Sequence, residues 1–379
     1  MPGAPPPSSS LNPHKILVRG VNWLGDAVMS TPALQRLREA NPAAQITLLT
    51  LDKLADLWEA HPALDKIMTF TREESVFRVS RRLSAERFGS AIVFPNSPRS
   101  TLEVFLAGIP ERVGYARPWR RFFLTRGIAA PSEAVAMKKR TTSEIKRLIR
   151  SPGEVFSAPA RAHHIFQYLR LVEALHAKPE PLPPHIAVSP SEVTAVEKRF
   201  RFSQEDCPLL FGLNAGAEYG PAKRWPRENF IAAARALQQQ TRCHWWIFGN
   251  VAEQELAAGI AAEIQRDAPG SFVTAQSLAG LTSLRELCAA LKRCDLVLTN
   301  DTGPMHLAAA VGTPVLALFG STSPELTAPG LPGQTKHALL RHNVPCAPCF
   351  RRNCPIDFRC MQGINVESVV AAAMRIAGR

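Results

Sequence analysis

The strongest constraint on what this 379-residue chain can fold into is an alternation that runs, stops and starts again. Lys15-Ile-Leu-Val-Arg19 reads as a strand and residues 31–40 as a helix. Gln45-Ile-Thr-Leu-Leu-Thr50 reads as a strand before a helix at 53–60, and Ala91-Ile-Val-Phe94 as a strand before a helix at 98–107. Short apolar runs alternating with helical stretches indicate βαβ units around a parallel sheet. An amphipathic helix is expected at 164–177. Lys178-Pro-Glu-Pro-Leu-Pro-Pro184 then sets four prolines in seven residues, which fits neither a helix nor a central strand and reads as a linker.

Beyond that linker the alternation restarts. Strands are expected at 208–213, 244–248, 295–299 and 314–319, with helices at 227–239, 252–266, 282–292 and 304–311. Pro226 opens the first of these helices. The expectation is an α/β chain with two facing, Rossmann-like, doubly wound domains and a central cleft, ligands binding at the carboxyl ends of the strands. The expected division is a disordered lead-in at 1–13, a first domain at 14–177, the linker at 178–190, a second domain at 191–345, and a Cys-rich segment with a C-terminal helix at 346–379.

Composition narrows the setting. The apolar fraction of 46% is that of a globular protein, and no run reaches the ~20 apolar residues of a membrane-spanning helix. Met1-Pro-Gly-Ala-Pro-Pro-Pro-Ser-Ser-Ser10 lacks the basic start and apolar core of a signal peptide, so a cytoplasmic location is expected. The net charge of +13 is uneven, with eleven Lys/Arg against two Glu in residues 112–150. Such a stretch attracts nucleic acid, an anionic membrane surface or an acidic substrate, or is simply a solvated basic loop. An aromatic-interleaved platform for RNA is not evident.

Four turns after strands carry the chemistry. Asn300-Asp-Thr-Gly-Pro-Met-His306 lies between an apolar run and a helical segment; Asp301 or Thr302 can cap, Gly303 permits a tight bend and Pro304 suits the first turn. Free N–H groups and the helix dipole there favour an anion, most plausibly a phosphate, with His306 projecting from the first turn. Asn214-Ala-Gly-Ala-Glu-Tyr-Gly-Pro-Ala-Lys-Arg-Trp-Pro226 has small residues, Gly216 among them, that let a ligand approach the backbone, while Lys223 and Arg224 supply the charge a pyrophosphate leaving group needs. The spacing is not that of a P-loop. Gly20-Val-Asn-Trp-Leu-Gly-Asp26 follows the first strand and sets Asp26 at a helix start, as a general base or as an N-cap carboxylate. After Phe248-Gly-Asn250, Glu253 or Glu255 can accept hydrogen bonds from ribose hydroxyls, or either can be an ordinary surface glutamate.

Of eight cysteines, Cys207, Cys243, Cys288 and Cys294 are scattered and read as core or near-core thiols. Cys346, Cys349, Cys354 and Cys360 lie within fifteen residues and can hold a structural zinc as four thiolates. An iron–sulfur cluster is the other metal reading, although the spacing matches no common pattern. Four free thiols in a loop is the plain alternative.

Taken together, Val21-Asn-Trp-Leu-Gly-Asp-Ala-Val-Met-Ser30, Phe94-Pro-Asn-Ser97, Ala107-Gly-Ile-Pro-Glu-Arg-Val-Gly114, Gly216-Ala-Glu-Tyr-Gly-Pro-Ala-Lys-Arg-Trp-Pro226 and Thr299-Asn-Asp-Thr-Gly-Pro-Met-His-Leu-Ala308 resemble the bacterial heptosyltransferases, a family of glycosyltransferases. The resemblance implies a GT-B fold, with the acceptor on the first domain and ADP-heptose on the second. It implies inverting transfer of L-glycero-D-manno-heptose onto the first heptose of the lipopolysaccharide inner core, at the inner face of the inner membrane. It further implies Asp26 as general base, Lys223 as the phosphate-binding lysine, Asp301, Thr302, Gly303 and His306 as the nucleotide-sugar loop, and Glu253 as the ribose contact. Asn96, Arg117, Arg120 and Arg121 become acceptor contacts for a lipid-anchored Kdo/heptose acceptor. No obligatory metal and no nucleic-acid partner are implied. A transfer using another sugar or acceptor, and a non-catalytic nucleotide-sugar or RNA-binding module, are the alternatives.

Overall fold

The computed structural model describes residues 12–151, 156–202, 209–266 and 274–378. The proposed lead-in as far as residue 11, and Cys207, lie outside the described residues. Contacts divide the chain into two units: residues as far as Ser132 together with Ile165–Pro181, and Glu133–His164 together with Leu182 onward.

The first unit is built on β1 (Asn12–Arg19), β2 (Gln45–Leu51), β3 (Lys66–Phe70), β4 (Phe88–Val93), β5 (Glu111–Tyr115) and β6 (Arg126–Ile128). They form one parallel sheet in the order β3-β2-β1-β4-β5-β6, with Leu17 level with Thr47 on one side and Ala91 on the other. Leu17 and Val18 are fully buried, as a strand covered on both faces requires. The helices are α1 (Leu24–Met29), α2 (Thr31–Ala40), α3 (Val76–Glu86) and α4 (Pro98–Leu106). Residues 53–60, expected as an α-helix, lie mostly in a 3-10 run at Asp52–Trp58, where the three-residue spacing of Leu54 and Leu57 suits the tighter turn.

Two helices follow in the chain, α5 (Thr142–Arg150) and α6 (His164–Val172), and they part company: α5 belongs to the second unit and nearly all of α6 to the first. The chain therefore crosses between the units before the proline-rich linker as well as at it. Ile145 packs with Cys346 and Cys349, the Arg140 N–H donates to the Cys349 carbonyl at 3.0 Å, and Arg351 Nη1 donates to the Arg140 carbonyl at 3.0 Å. These contacts span some 200 residues of sequence, beyond the reach of any local pattern.

The second unit adds α7 (Pro190–Arg199), β7 (Leu210–Asn214), α8 (Arg227–Thr241), β8 (His244–Ile247), α9 (Gln254–Arg266), β9 (Ala275–Ser277), α10 (Leu284–Arg293), β10 (Leu296–Asn300), α11 (Gly303–Ala310), β11 (Val315–Phe319), α12 (Pro324–Thr327), β12 (Ala338–Arg341), α13 (Arg359–Gln362) and α14 (Val366–Ile376). Its parallel sheet runs β9-β8-β7-β10-β11-β12, the same winding as the first. In each unit the direction of strand addition reverses once, between β1 and β4 and between β7 and β10. A doubly wound sheet opens its ligand crevice at that reversal, outside the carboxyl ends of the two strands. β3, β5, β6, β9 and β12, absent from the sequence reading, are short and lie toward the sheet margins, where apolar runs are not required. The C-terminal helix α14 packs its Val369, Ala372 and Ala373 into the core of the second unit.

Candidate active site

In the first unit, the loop after β1 is tied down from below. Arg19 is almost fully buried, donates from Nε to Glu103 Oε2 at 2.8 Å and from Nη1 to the Gly20 carbonyl at 2.6 Å, and lies over the Phe70 ring. Its third contact, Nη1 to Asn22 Oδ1 at 3.3 Å, holds the turn that carries Asp26. Glu103, from α4, also accepts from Arg99 Nε at 2.8 Å, so the buried carboxylate is met by two guanidinium groups. Burial pushes the Arg19 guanidinium down, and Glu103 pulls it back up.

Asp26 sits half-buried in the first turn of α1. Trp23, the N-cap of that helix, makes no side-chain capping bond. Instead the Tyr168 hydroxyl, from α6, donates to Asp26 Oδ1 at 2.9 Å. Tyr168 is buried against Phe94, the first residue past β4, at 5.3 Å between ring centroids. Burial, then the Asp26 charge, drives the Tyr168 phenol far above its ordinary value, so it stays a proton donor. Asp26 is thus oriented by a residue 142 positions away that no motif had pointed to.

Asn96 follows β4 and accepts a hydrogen bond from Arg120 Nη1 at 2.9 Å. Arg120 is 1% exposed, and its Nε and Nη2 lack a hydrogen-bond partner among the described residues. Burial, with Arg117 adding repulsion, lowers its guanidinium to about 10. Arg117 and Arg121 are exposed beside it. The four residues expected to meet an acceptor therefore divide into the exposed Asn96, held by the buried Arg120, and two solvated arginines.

In the second unit, the loops after β7 and β10 meet at the sheet reversal. Lys223 Nζ donates to Asp301 Oδ2 at 2.7 Å and to the Asp301 carbonyl at 3.2 Å. Two of the three ammonium protons are so engaged; the third is available to a ligand. Thr322 Oγ1, from the loop after β11, donates to the same Asp301 oxygen at 2.5 Å. Burial would raise the Asp301 carboxyl, but the Lys223 charge, the two hydrogen bonds and His306 outweigh it and hold it below the ordinary value. Asp301 is therefore an ionised partner of Lys223 rather than a helix cap. Thr302 is the N-cap of α11 and makes no side-chain capping bond, so the first N–H groups of that helix have no side-chain cap at Thr302–Gly303. His306 is buried in the first turn.

Asn300 fixes the two loops together: its Oδ1 accepts from the Trp225 N–H at 3.0 Å, and its Nδ2 donates to the carbonyls of Ala215 and Gly216 at 2.8 and 3.3 Å. Gly216 faces Glu253, whose Oε1 would stand 2.1 Å from any added Cβ. Glu253 is 9% exposed; its Oε2 accepts from the Asn250 N–H at 3.1 Å in a capping box, and its Oε1 lies 3.6 Å from Arg224 Nη2. Glu255 is exposed on α9. The structure thus brings together Gly216, Lys223, Arg224, Glu253, Asp301, Thr302, Gly303 and His306.

The cysteine segment turns out to brace this site. Phe350 O accepts from the Tyr219 hydroxyl at 2.7 Å, and Arg352 O accepts from the Ala222 N–H at 2.9 Å. The Tyr219 ring carries Lys223 Nζ at 5.1 Å and Arg352 at 5.3 Å. Cys346, Cys349, Cys354 and Cys360 line one small cavity beside Ala222 and Gly320 as free thiols. Among the described residues no three or more His, Cys, Asp or Glu side chains are grouped to hold a metal ion. The expected zinc or iron–sulfur site is therefore not supported. Cys360 packs into the main core while Cys346 and Cys349 pack on Ile145. Burial raises the thiols of Cys346, Cys349 and Cys360, the last to about 12.

With this geometry in hand, comparison with known proteins is specific. A profile of glycosyltransferase family 9 (heptosyltransferase) matches residues 153–358. The chain is 30% identical to lipopolysaccharide heptosyltransferase 2 of Escherichia coli, over 83% of this chain and 85% of that protein. It is 27% identical to lipooligosaccharide heptosyltransferase 2 of Campylobacter jejuni, over 96% and 98% respectively. Among solved structures it superposes on E. coli ADP-heptose lps heptosyltransferase II with a TM-score of 0.77 and 25% identity, covering 96% of this chain and 98% of that one. The two similarly wound units are those of the GT-B fold.

Proposed function

The chain belongs to glycosyltransferase family 9, the heptosyltransferases, and on that premise we propose that it moves L-glycero-D-manno-heptose from ADP-heptose onto the first heptose of the lipopolysaccharide inner core, as a heptosyltransferase II. The observation that carries the donor half is the Lys223–Asp301 pair set beside the start of α11. A buried carboxylate fixes the ammonium in place, and the third ammonium proton, with the N–H groups of α11, meets the pyrophosphate. Preorganised charge of this kind stabilises a leaving group as negative charge develops on it. Glu253 is in place for the ribose, and Arg224 for a phosphate oxygen.

In the transfer, the acceptor hydroxyl oxygen bonds to the anomeric carbon from the face opposite the diphosphate. The bond from that carbon to the β-phosphate oxygen breaks, ADP leaves with the bonding pair, and the hydroxyl proton passes to Asp26. Inversion follows, with no covalent intermediate and no metal required by the residues named. Asn96 and Arg120, with Arg117 and Arg121 beside them, meet the acidic, lipid-anchored acceptor. No helix among the described residues is long and apolar enough to cross a membrane, and the reading places the enzyme peripherally, at the inner face of the inner membrane.

A mass-spectrometric transfer assay tests this, using ADP-heptose with acceptors carrying either no heptose or one. The one-heptose acceptor is expected to gain a single heptose. Transfer to the heptose-free acceptor alone would reassign the chain to the preceding transfer.

A further inference from the structure

The segment after β5 exposes more apolar surface than its fold accounts for. Trp119 is 80% and Phe122 69% exposed, and Phe105 and Leu106 at the end of α4 are 41% and 40% exposed. These residues form one surface. The short 3-10 turn Arg120–Phe123 lies on α4, and Phe105 and Phe123 meet edge to face with centroids 5.2 Å apart. Trp119 is held outward by a left-handed backbone, φ 67°, a conformation that costs a side-chain-bearing residue energy.

Positive charge dominates around this surface. Residues 112–132 contain five arginines and no acid. Arg121 lies over the Phe122 ring at 5.4 Å, and Arg112 over the Phe105 ring at 5.5 Å while donating from Nε to the Phe123 carbonyl at 2.8 Å. Aromatic side chains interleaved with arginines suit the headgroup region of a bilayer, where rings sit at the apolar boundary and guanidinium groups meet lipid phosphates. A protein partner would be met by the same apolar groups, but the arginines beside the exposed rings outnumber the one neighbouring carboxylate, Glu111, which pairs with Arg126 at 3.6 Å, and this excess selects an anionic surface. The segment leaves the carboxyl end of β5, and Asp26 stands past the carboxyl end of β1, which in a parallel sheet is the same edge.

We propose that Trp119, Phe122 and Phe105, flanked by Arg112, Arg117 and Arg121, form the surface by which the first unit docks on an anionic lipid bilayer. This rests on the reading of the acceptor as a membrane lipid and names the contact that reading lacks.

The test uses the full chain carrying Trp119→Ser with Phe122→Ser, neither of which is assigned to acceptor or donor. Co-sedimentation with vesicles of phosphatidylglycerol and phosphatidylethanolamine is expected to fall at least tenfold against the unmodified chain, while vesicles of phosphatidylcholine bind neither. Transfer to a deacylated, water-soluble acceptor is expected to remain within twofold, and transfer to the same acceptor lipid in vesicles to fall. Undiminished binding of the double variant to anionic vesicles would overturn the proposal. So would a dimer of the unmodified chain that the double variant dissociates, since the surface would then join two copies. If instead the unmodified chain transfers to neither acceptor yet sediments with anionic vesicles, the functional reading fails and the docking surface stands. A matching melting temperature confirms that the variant is folded.

Discussion

The Tyr168 hydroxyl donates to Asp26 Oδ1 at 2.9 Å, joining α6 to the first turn of α1 across the carboxyl edge of the first sheet. A hydrogen bond to the ionised form of a carboxylate stabilises that form and fixes the plane of the group. Tyr168→Phe keeps the ring against Phe94 and removes only the hydroxyl. A hydrogen bond to a charged group contributes about 1.5–3 kcal/mol, so turnover should fall roughly tenfold or more with little change in the donor KM. Turnover equal to that of the wild type would show that the bond is structural only.

Asp26→Asn should bind ADP-heptose nearly normally by calorimetry and lose turnover by ~10²–10⁴-fold, the usual contribution of a general base. Near-normal turnover would reduce Asp26 to a residue that shapes the loop.

Lys223→Ala removes the cation from a pair whose side chains are 13% and 4% exposed. Breaking a buried pair from one side typically costs about 3–5 kcal/mol, because the remaining charge is stranded. Thermal unfolding should therefore report a clear loss, alongside weaker donor binding and slower transfer. Lys223→Ala combined with Asp301→Ala should recover much of the stability and none of the catalysis. If the double variant is no more stable than the single one, the pair is not the source of the loss.

His163 is fully buried, with Nε2 3.0 Å from the Ala328 carbonyl, and burial lowers its pKa to about 3. Unfolded, it titrates near 6.5, so between about pH 3 and pH 6.5 the unfolded chain binds the extra proton. Its contribution to stability is full above that window and is lost as pH falls through it. Urea unfolding followed from pH 7 to pH 4.5 should show a shallower decline for His163→Asn than for the wild type. Equal slopes would place the acid sensitivity elsewhere.

Gly216→Ala would set a methyl 2.1 Å from Glu253 Oε1, far inside contact distance. Glu253 must leave its capping box or the loop must shift, a crowding that commonly costs 1–3 kcal/mol. A raised donor KM and a lowered melting temperature are expected. Glu253→Ala in the same chain should relieve the clash, and a failure to do so would locate the strain in the backbone.

Much of the scaffold was legible beforehand because its signals are local. The buried strands Leu210–Asn214, Leu296–Asn300 and Val315–Phe319 are near-continuous apolar runs, and the loops after β7 and β10 announce themselves by glycine, proline and paired basic residues. Close spacing of four thiols suggests a metal, which the described residues do not support; Cys346, Cys349 and Cys360 pack in two apolar clusters, and the backbone between them supports Tyr219 and Ala222.

The sequence by itself determined the two βα alternations and which residue types stand in each loop, since periodicity, turn residues and charge are all properties of neighbours. Only the tertiary structure decided which groups meet. It paired Lys223 with Asp301 rather than leaving Asp301 as a cap, oriented Asp26 through Tyr168, placed the Arg19–Glu103 pair beneath the loop after β1, and returned α5 to the second unit. Each depends on burial at long sequence separation. A buried charge or hydroxyl must find a partner wherever the fold brings one, and nothing in its own neighbourhood of the chain says which it will be.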